Sequence, residues 1–233
     1  MTLYAEDLAY VHDADYSAHC LAATPAVLDA VAGADHVVEI GCAGGRLAEA
    51  LLAAGHRVTG VDVSAALIRL AKKRAPGAKY MVGSVLDVPL PPCDAVVAVG
   101  EIFNYPQSAR ALDRIFAKVA RALPSGGRFV FDVSGPSRGR PDVRTVATVK
   151  DDFAIFAKVE EDVAARRIVR DITVFRRHGK AFRRSDELHP QRLYPAAEVA
   201  KKLRSHGFAV QVRRGYGDYR FMRNEAAFFA RKR

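Results

Sequence analysis

At 233 residues the chain suffices for one sizeable α/β domain, or a core domain with an inserted cap, and would be cramped as two independent domains. Half of it is hydrophobic and 27% charged, which excludes extensive disorder, and no apolar run approaches the roughly 20 residues that span a bilayer. The net charge of +10 is segregated: residues 1–133 hold 12 Lys/Arg against 14 Asp/Glu, residues 134–233 hold 24 against 12, so any nucleic-acid face belongs to the C-terminal part.

Met1–Asp7 lacks the basic and apolar regions of an export signal, so the expected location is cytoplasmic, with no membrane partner. Residues 1–35 are expected to form an N-terminal helical cover. Its segment Tyr10–Tyr16 is rich in polar-tipped aromatics, and His12 and His19, seven residues apart, share one helix face. The cysteines Cys20, Cys42 and Cys93 are far apart and form no Cys-x-x-Cys, which points to reduced thiols with neither a disulfide framework nor a metal site.

From His36 to Phe131 short β-rich runs alternate with amphipathic stretches, the pattern of βα units on a parallel sheet. Strands are expected at 36–40, 57–61, 79–82, 95–99 and 128–131, and helices at 45–54, 64–74 and 108–122. Ser134–Pro141 reads as a loop. After it come strands at 153–159, 167–175 and 181–187, with a hairpin turn at His178–Lys180. These form an antiparallel β cap, residues 134–190, inserted between core segments 36–133 and 191–233. A helix at 196–206 stops at Gly207, and strands at 208–213 and 226–230 close the chain as a hairpin around a Gly215–Gly217 turn.

The chemistry centres on Gly41-Cys42-Ala43-Gly44-Gly45, between a strand and a helix. Small residues there let backbone approach a ligand, and free N–H groups at the helix start favour an anion. The loop alone fits a dinucleotide, a nucleotide phosphate or tight packing. Glu39 is an acid inside an apolar strand, which calls for a cation or donors, and Asp62 ends the next strand, where a carboxylate can accept both hydroxyls of a ribose. Arg46 and Ala43 break the dinucleotide spacing Gly-x-Gly-x-x-Gly, and no Gly-Lys-Ser/Thr is present for a phosphate loop.

Together Val37–Gly45, Val61–Val63, Gly83–Pro89 and Asp94–Tyr105 resemble the class I S-adenosylmethionine-dependent methyltransferases, in their small-molecule branch. The resemblance implies a Rossmann-like seven-stranded, mostly parallel sheet with an antiparallel C-terminal strand, and S-adenosyl-L-methionine as cofactor. It implies that Gly41, Cys42, Ala43 and Gly44 line the methionine and ribose portion. Glu39 supports the ligand's amino end, Asp62 takes the ribose hydroxyls and Val63 packs on adenine. Ser84 stands where the family usually has Asp, so either its hydroxyl or Asp87 would reach the adenine amino group, with the backbone of Val85 beside it, capping of local backbone being the alternative for Asp87. Gly100 and Glu101 would border the transferable methyl group. Tyr16 either bonds the methionine carboxylate or anchors its helix.

For the acceptor, the Glu-x-His stretch at Glu187 and His189 resembles one in small-molecule methyltransferases. His189 is the first candidate for a general base, because imidazole titrates near neutrality. Phe103, Tyr105, Arg192 and Tyr194 are candidate substrate contacts, with packing, or for Arg192 and Tyr194 pairing with Glu187, as the alternatives. The expected function is methyl transfer to an oxygen or nitrogen of a small molecule by a monomer or homodimer. An RNA methyltransferase using the basic C-terminal half and a noncatalytic methyltransferase-like binding protein are the alternatives.

Overall fold

The expected alternation of strands and helices takes shape as a sheet buried on both faces. The computed structural model describes residues 3–137, 143–221 and 224–233, so Arg138–Pro141 of the expected Ser134–Pro141 loop lie outside it. Helices α1 (Glu6–Asp15) and α2 (Ala18–Val31) come first. Then β1 (His36–Ile40), α3 (Arg46–Ala53), β2 (Arg57–Asp62), α4 (Ala65–Arg74) and β3 (Lys79–Val82) alternate. β4 (Ala95–Ala98), a short 3-10 turn (Ile102–Asn104), α5 (Ala109–Ala122) and β5 (Arg128–Ser134) complete the parallel portion. Ser64 and Ser108 cap α4 and α5 by accepting the Leu67 and Ala111 N–H groups.

Successive strand residues face opposite layers. Val38, Val96, Phe129 and Phe131 pack with α5 residues Ile115 and Phe116 on one side. Val37, Ala95, Val97 and Val130 pack with α2 and α3 on the other. Such double burial is what unbroken apolar strands encode.

Beyond β5 come β6 (Val143–Val149), β7 (Phe153–Asp162), β8 (Arg167–His178), β9 (Ala181–Arg192), α6 (Ala196–Ser205), β10 (Phe208–Arg213), β11 (Gly215–Tyr216), β12 (Tyr219–Arg220) and β13 (Glu225–Lys232). The main sheet has seven strands in the order β10-β13-β5-β4-β1-β2-β3, with β13 antiparallel to both neighbours. The C-terminal pair therefore forms, but not around one turn. β11 and β12 make a hairpin of their own between its strands, with Tyr216 buried against the α2 layer.

β6 to β9 form a second, antiparallel four-stranded sheet. Its strands outrun the expected limits, and β6 is a strand that the sequence reading did not mark off. β9 continues through Pro190 to Arg192, past the expected cap boundary at 190. Proline is tolerated there because β9 is an edge strand, paired only with β8, so no ladder bond is lost on its open side.

The cap docks on the core through α1. Leu8 and Val11 pack against Phe153, Ile155, Ile172 and Val174. Beside them Asp7, 3% exposed, accepts two bonds from Arg183 at 2.7 and 2.6 Å, with Arg176 and His178 at 3.5 and 3.4 Å. The Arg183 fork, opposed by burial and aided by His178 and Arg176, holds the Asp7 carboxyl below its ordinary range. A lowered folded pKa contributes stability above the unfolded value of about 4, lost as pH falls through the folded one. Asp7→Asn should therefore lower the melting temperature at neutral pH while flattening its decline below about pH 4, as thermal unfolding across pH will show.

Candidate active site

The turn from β1 into α3 brings backbone rather than side chains to the carboxyl ends of the strands. Gly41 sits at φ 74, and a Cβ there would strike the Ile102 side chain. A Cβ on Gly44 would lie 2.1 Å from the Asp13 carboxylate. Ala43, at a positive φ of 44, is held by its N–H, which donates to Asp62 Oδ2 at 2.9 Å. The other Asp62 oxygen accepts the Ser64 N–H at 2.8 Å. Asp13, bonded to both terminal nitrogens of Arg74 at 2.7 Å, ties α1 over this turn.

A cleft of about 450 Å³ opens there. Gly41–Gly44, Asp62–Val63, Gly83–Leu86 and Val99–Gly100 form its walls, while Tyr4, His12, Tyr16, His19 and Tyr105 roof it. Val63 is 49% exposed, leaving an apolar face open to the cleft. Glu39 lies at the base, 4% exposed, and its Oε2 has no hydrogen-bond partner. Burial, reinforced by the Asp62 charge, pushes the Glu39 carboxyl well above its ordinary range. A buried carboxyl with one oxygen left unpartnered suits a ligand that brings a cation. Burial also raises the Asp62 carboxyl, against the N–H groups of Ser64 and Ala43 that favour its charged form. His12 is pushed down to about 4 by burial and stays neutral at physiological pH.

The sequence candidates divide. Tyr16, Glu39, Gly41, Cys42, Ala43, Gly44, Asp62, Val63, Ser84, Val85, Gly100 and Tyr105 line the cleft. Asp87 does not: it is exposed beyond the turn, where its N–H donates to the Ser84 carbonyl. The Glu101 carboxylate is turned away, accepting from Ser134 Oγ at 2.5 Å and pairing with Arg170 at 3.0 Å.

Three acceptor candidates need correction, and His189 stands back from the cleft. Phe103, wholly buried, packs on Phe116, Phe129 and Phe131 in the core. The Tyr194 hydroxyl donates to the Pro106 carbonyl at 2.9 Å, and Arg192 stacks over Tyr194 at 5.8 Å instead of meeting Glu187. His189 is wholly buried, with Nε2 2.9 Å from Glu187 Oε2 and Nδ1 3.0 Å from the Tyr105 hydroxyl, so it touches no acceptor directly.

Two residues beside the cleft, Asp132 and Tyr4, escaped the sequence reading, and His19 was read only as sharing a helix face with His12. Asp132, 1% exposed on β5, accepts the Gly100 N–H at 3.0 Å, the Glu101 N–H at 2.5 Å and the Tyr216 hydroxyl at 2.8 Å. An acid inside the apolar run Phe129–Val133 is the same signal that singled out Glu39. His19 lies 3.4 Å from Asp132. Burial lowers its pKa, but the bond and charge of Asp132 outweigh that, leaving it raised. Tyr4 reaches the roof from a segment with no motif.

Residues 37–127 match a family model described as a methyltransferase domain. The putative methyltransferase YqeM of Bacillus subtilis is 25% identical, with 78% of this chain and 76% of that protein aligned. Among solved structures, an S-adenosylmethionine-dependent methyltransferase from Clostridium acetobutylicum superposes with a TM-score of 0.81, at 17% identity over 96% of this chain and 97% of that one. CalS10, an amino pentose methyltransferase from Micromonospora echinaspora solved with the cofactor bound, gives 0.75 at 19% identity over 96% and 97%. The matched segment carries β1 to α5, the seven-stranded, mostly parallel sheet shares the fold of these solved structures, and the loops after β1, β2, β3 and β4 meet at one cleft, so residues 37–127 are similar to a methyltransferase domain within a class I methyltransferase-like fold.

Proposed function

We propose that the protein transfers the methyl group of S-adenosyl-L-methionine to a nitrogen or oxygen of a small molecule, held between the cofactor and the roof of the cleft. The observation that carries this reading is the cleft itself. It is roofed by the α1–α2 segment and by Tyr105, and about 450 Å³ accommodates a cofactor and a compact acceptor group. The similarity to an amino pentose methyltransferase supports a polar acceptor of that size. Within this reading residues 1–35 cover the cofactor, 36–133 and 191–233 bind it, and the cap 134–190 selects the acceptor.

Four of the proposed cofactor contacts have a physical counterpart. The orphaned Glu39 Oε2 supports a role at the ligand's ammonium group. Asp62, fixed by two backbone N–H groups, retains lone pairs for a vicinal diol. Val63 offers an apolar face to adenine, and the Ser84 hydroxyl, which accepts from the Leu86 N–H at 3.1 Å, keeps its proton for a ring nitrogen. The cofactor supplies an activated methyl group, so the protein's work is to position, desolvate and accept a proton.

An RNA acceptor is less well supported, because part of the C-terminal positive charge is paired. Arg183 binds Asp7, Lys150 binds Asp15, Arg170 binds Glu101 and Arg184 binds Asp186.

Glu39→Gln removes a buried ionisable group and should raise the melting temperature of the cofactor-free chain while weakening cofactor binding roughly tenfold or more by calorimetry. Asp62→Ala should weaken it further, on the order of a hundredfold, and Asp62→Asn by less. Formation of S-adenosylhomocysteine should appear with D-glucosamine or catechol as acceptor and not with total RNA. Methylation of RNA that declines steeply with added salt would reverse the assignment.

A further inference from the structure

We infer that the Tyr4 and Tyr105 hydroxyls form a proton path from the acceptor in the cleft to the buried imidazole of His189, held in place by Glu187. The inference rests on the methyl-transfer reading of the cleft and gives Tyr4 a part in the reaction.

The direction of each bond follows from one end of the chain. Glu187 Oε2 accepts the Tyr4 N–H at 2.7 Å and faces His189 Nε2 at 2.9 Å, while Oε1 accepts the Ala5 N–H at 2.8 Å. A carboxylate only accepts, so His189 carries its hydrogen on Nε2 and presents a lone pair at Nδ1. The Tyr105 hydroxyl, 3.0 Å away, donates to that lone pair and has no second proton to give. Its oxygen therefore accepts from the Tyr4 hydroxyl at 3.1 Å. The Tyr4 oxygen is the open end of the path, and both tyrosines line the cleft.

The conformation of Tyr4 is an independent observation. It is a non-glycine residue at φ 53, a strained geometry that persists only where surroundings over-determine it. Here the surroundings do so. Glu187 holds its N–H, Ser64 Oγ donates to its carbonyl at 2.6 Å, and its ring meets the His12 and His189 rings edge-on at 4.9 Å. Burial keeps both tyrosines protonated at neutral pH, so they pass protons rather than store them. The other ionisable groups around His189 are Arg170, opposite it on β8 and paired with Glu101, and the neutral His12 of α1.

In the step, the acceptor's lone pair bonds the methyl carbon and the electrons of the broken carbon–sulfur bond stay on sulfur. The acceptor's proton moves to Tyr4 Oη, the Tyr4 proton to Tyr105 Oη and the Tyr105 proton to His189 Nδ1, leaving an imidazolium beside Glu187. After product release the proton returns through the same hydroxyls to water.

The test uses the full chain with Tyr4→Phe, Tyr105→Phe and both together. D-glucosamine and catechol serve as acceptor probes from about pH 6 to about 9.5. Each single variant should lower kcat on the order of a hundredfold below the acceptor's own pKa, with the deficit closing above it and cofactor affinity by calorimetry unchanged. Because the hydroxyls act in series, the double variant should be no slower than either single one. Losses that multiply, or that persist at every pH, overturn the path. In nitrogen-15 spectra of histidine-labelled protein, the His189 Nδ1 resonance should move in Tyr4→Phe as well as in Tyr105→Phe. Indifference to Tyr4→Phe overturns the path even if neither probe is methylated. Absence of cofactor binding in the unaltered chain would instead sink the methyl-transfer reading.

Discussion

Asp132 stands where β5 ends, 1% exposed, and a buried carboxylate of this kind costs several kcal/mol unless donors surround it. Its donors come from parts of the chain far apart in sequence: the Gly100 and Glu101 N–H groups after β4, the Tyr216 hydroxyl in β11, and His19 in α2. Solvating this one charge therefore fixes the loop that borders the cleft, draws the small β11–β12 hairpin beneath it and anchors the second covering helix. Glu101 sits at φ 61 and its N–H points at Asp132, so the unusual backbone there has a local cause.

Glu39 presents the opposite solution on β1, which β4 separates from β5. It is comparably buried, yet one of its oxygens has no partner within the protein. Asp132 spends its hydrogen-bonding capacity on holding the fold, and Glu39 keeps part of its own in reserve. An acid in an apolar strand is thus a sign of strong local demand for donors, and only the surrounding structure says whether protein or ligand meets it.

The core was legible because its signals are local. Five apolar runs and the glycine turn each lie within a few residues, so the βα alternation followed from periodicity, and the cleft-lining positions from the family resemblance of the motifs. The cap was legible in kind but not in extent. β6 is mostly polar or exposed, and the last strand of the cap runs on through Pro190, which an edge strand carries without loss. Acceptor-side residues were the least legible, because Phe103, Tyr194 and His189 differ from true cleft residues only in which way tertiary packing turns them. Tyr4 carries no motif at all. Its place follows from Glu187, distant by 183 positions in sequence.

The charge asymmetry of the sequence gains its meaning in the same way. The N-terminal 133 residues are slightly acidic and the remainder strongly basic, which in isolation reads as a surface for an anionic partner. In space the two halves answer each other: Asp7 with Arg176 and Arg183, Asp15 with Lys150, Glu101 with Arg170, and Asp113 with Lys202 and His206. The exposed pairs among these contribute little each, so apart from the buried Asp7 the cap is held mainly by the apolar seam of Leu8 and Val11. What the charges add is register. Asp7 meets its arginines, and Glu187 meets the Tyr4 and Ala5 N–H groups, only when α1 lies in one position between cap and core. In that position the roof of the cleft is complete.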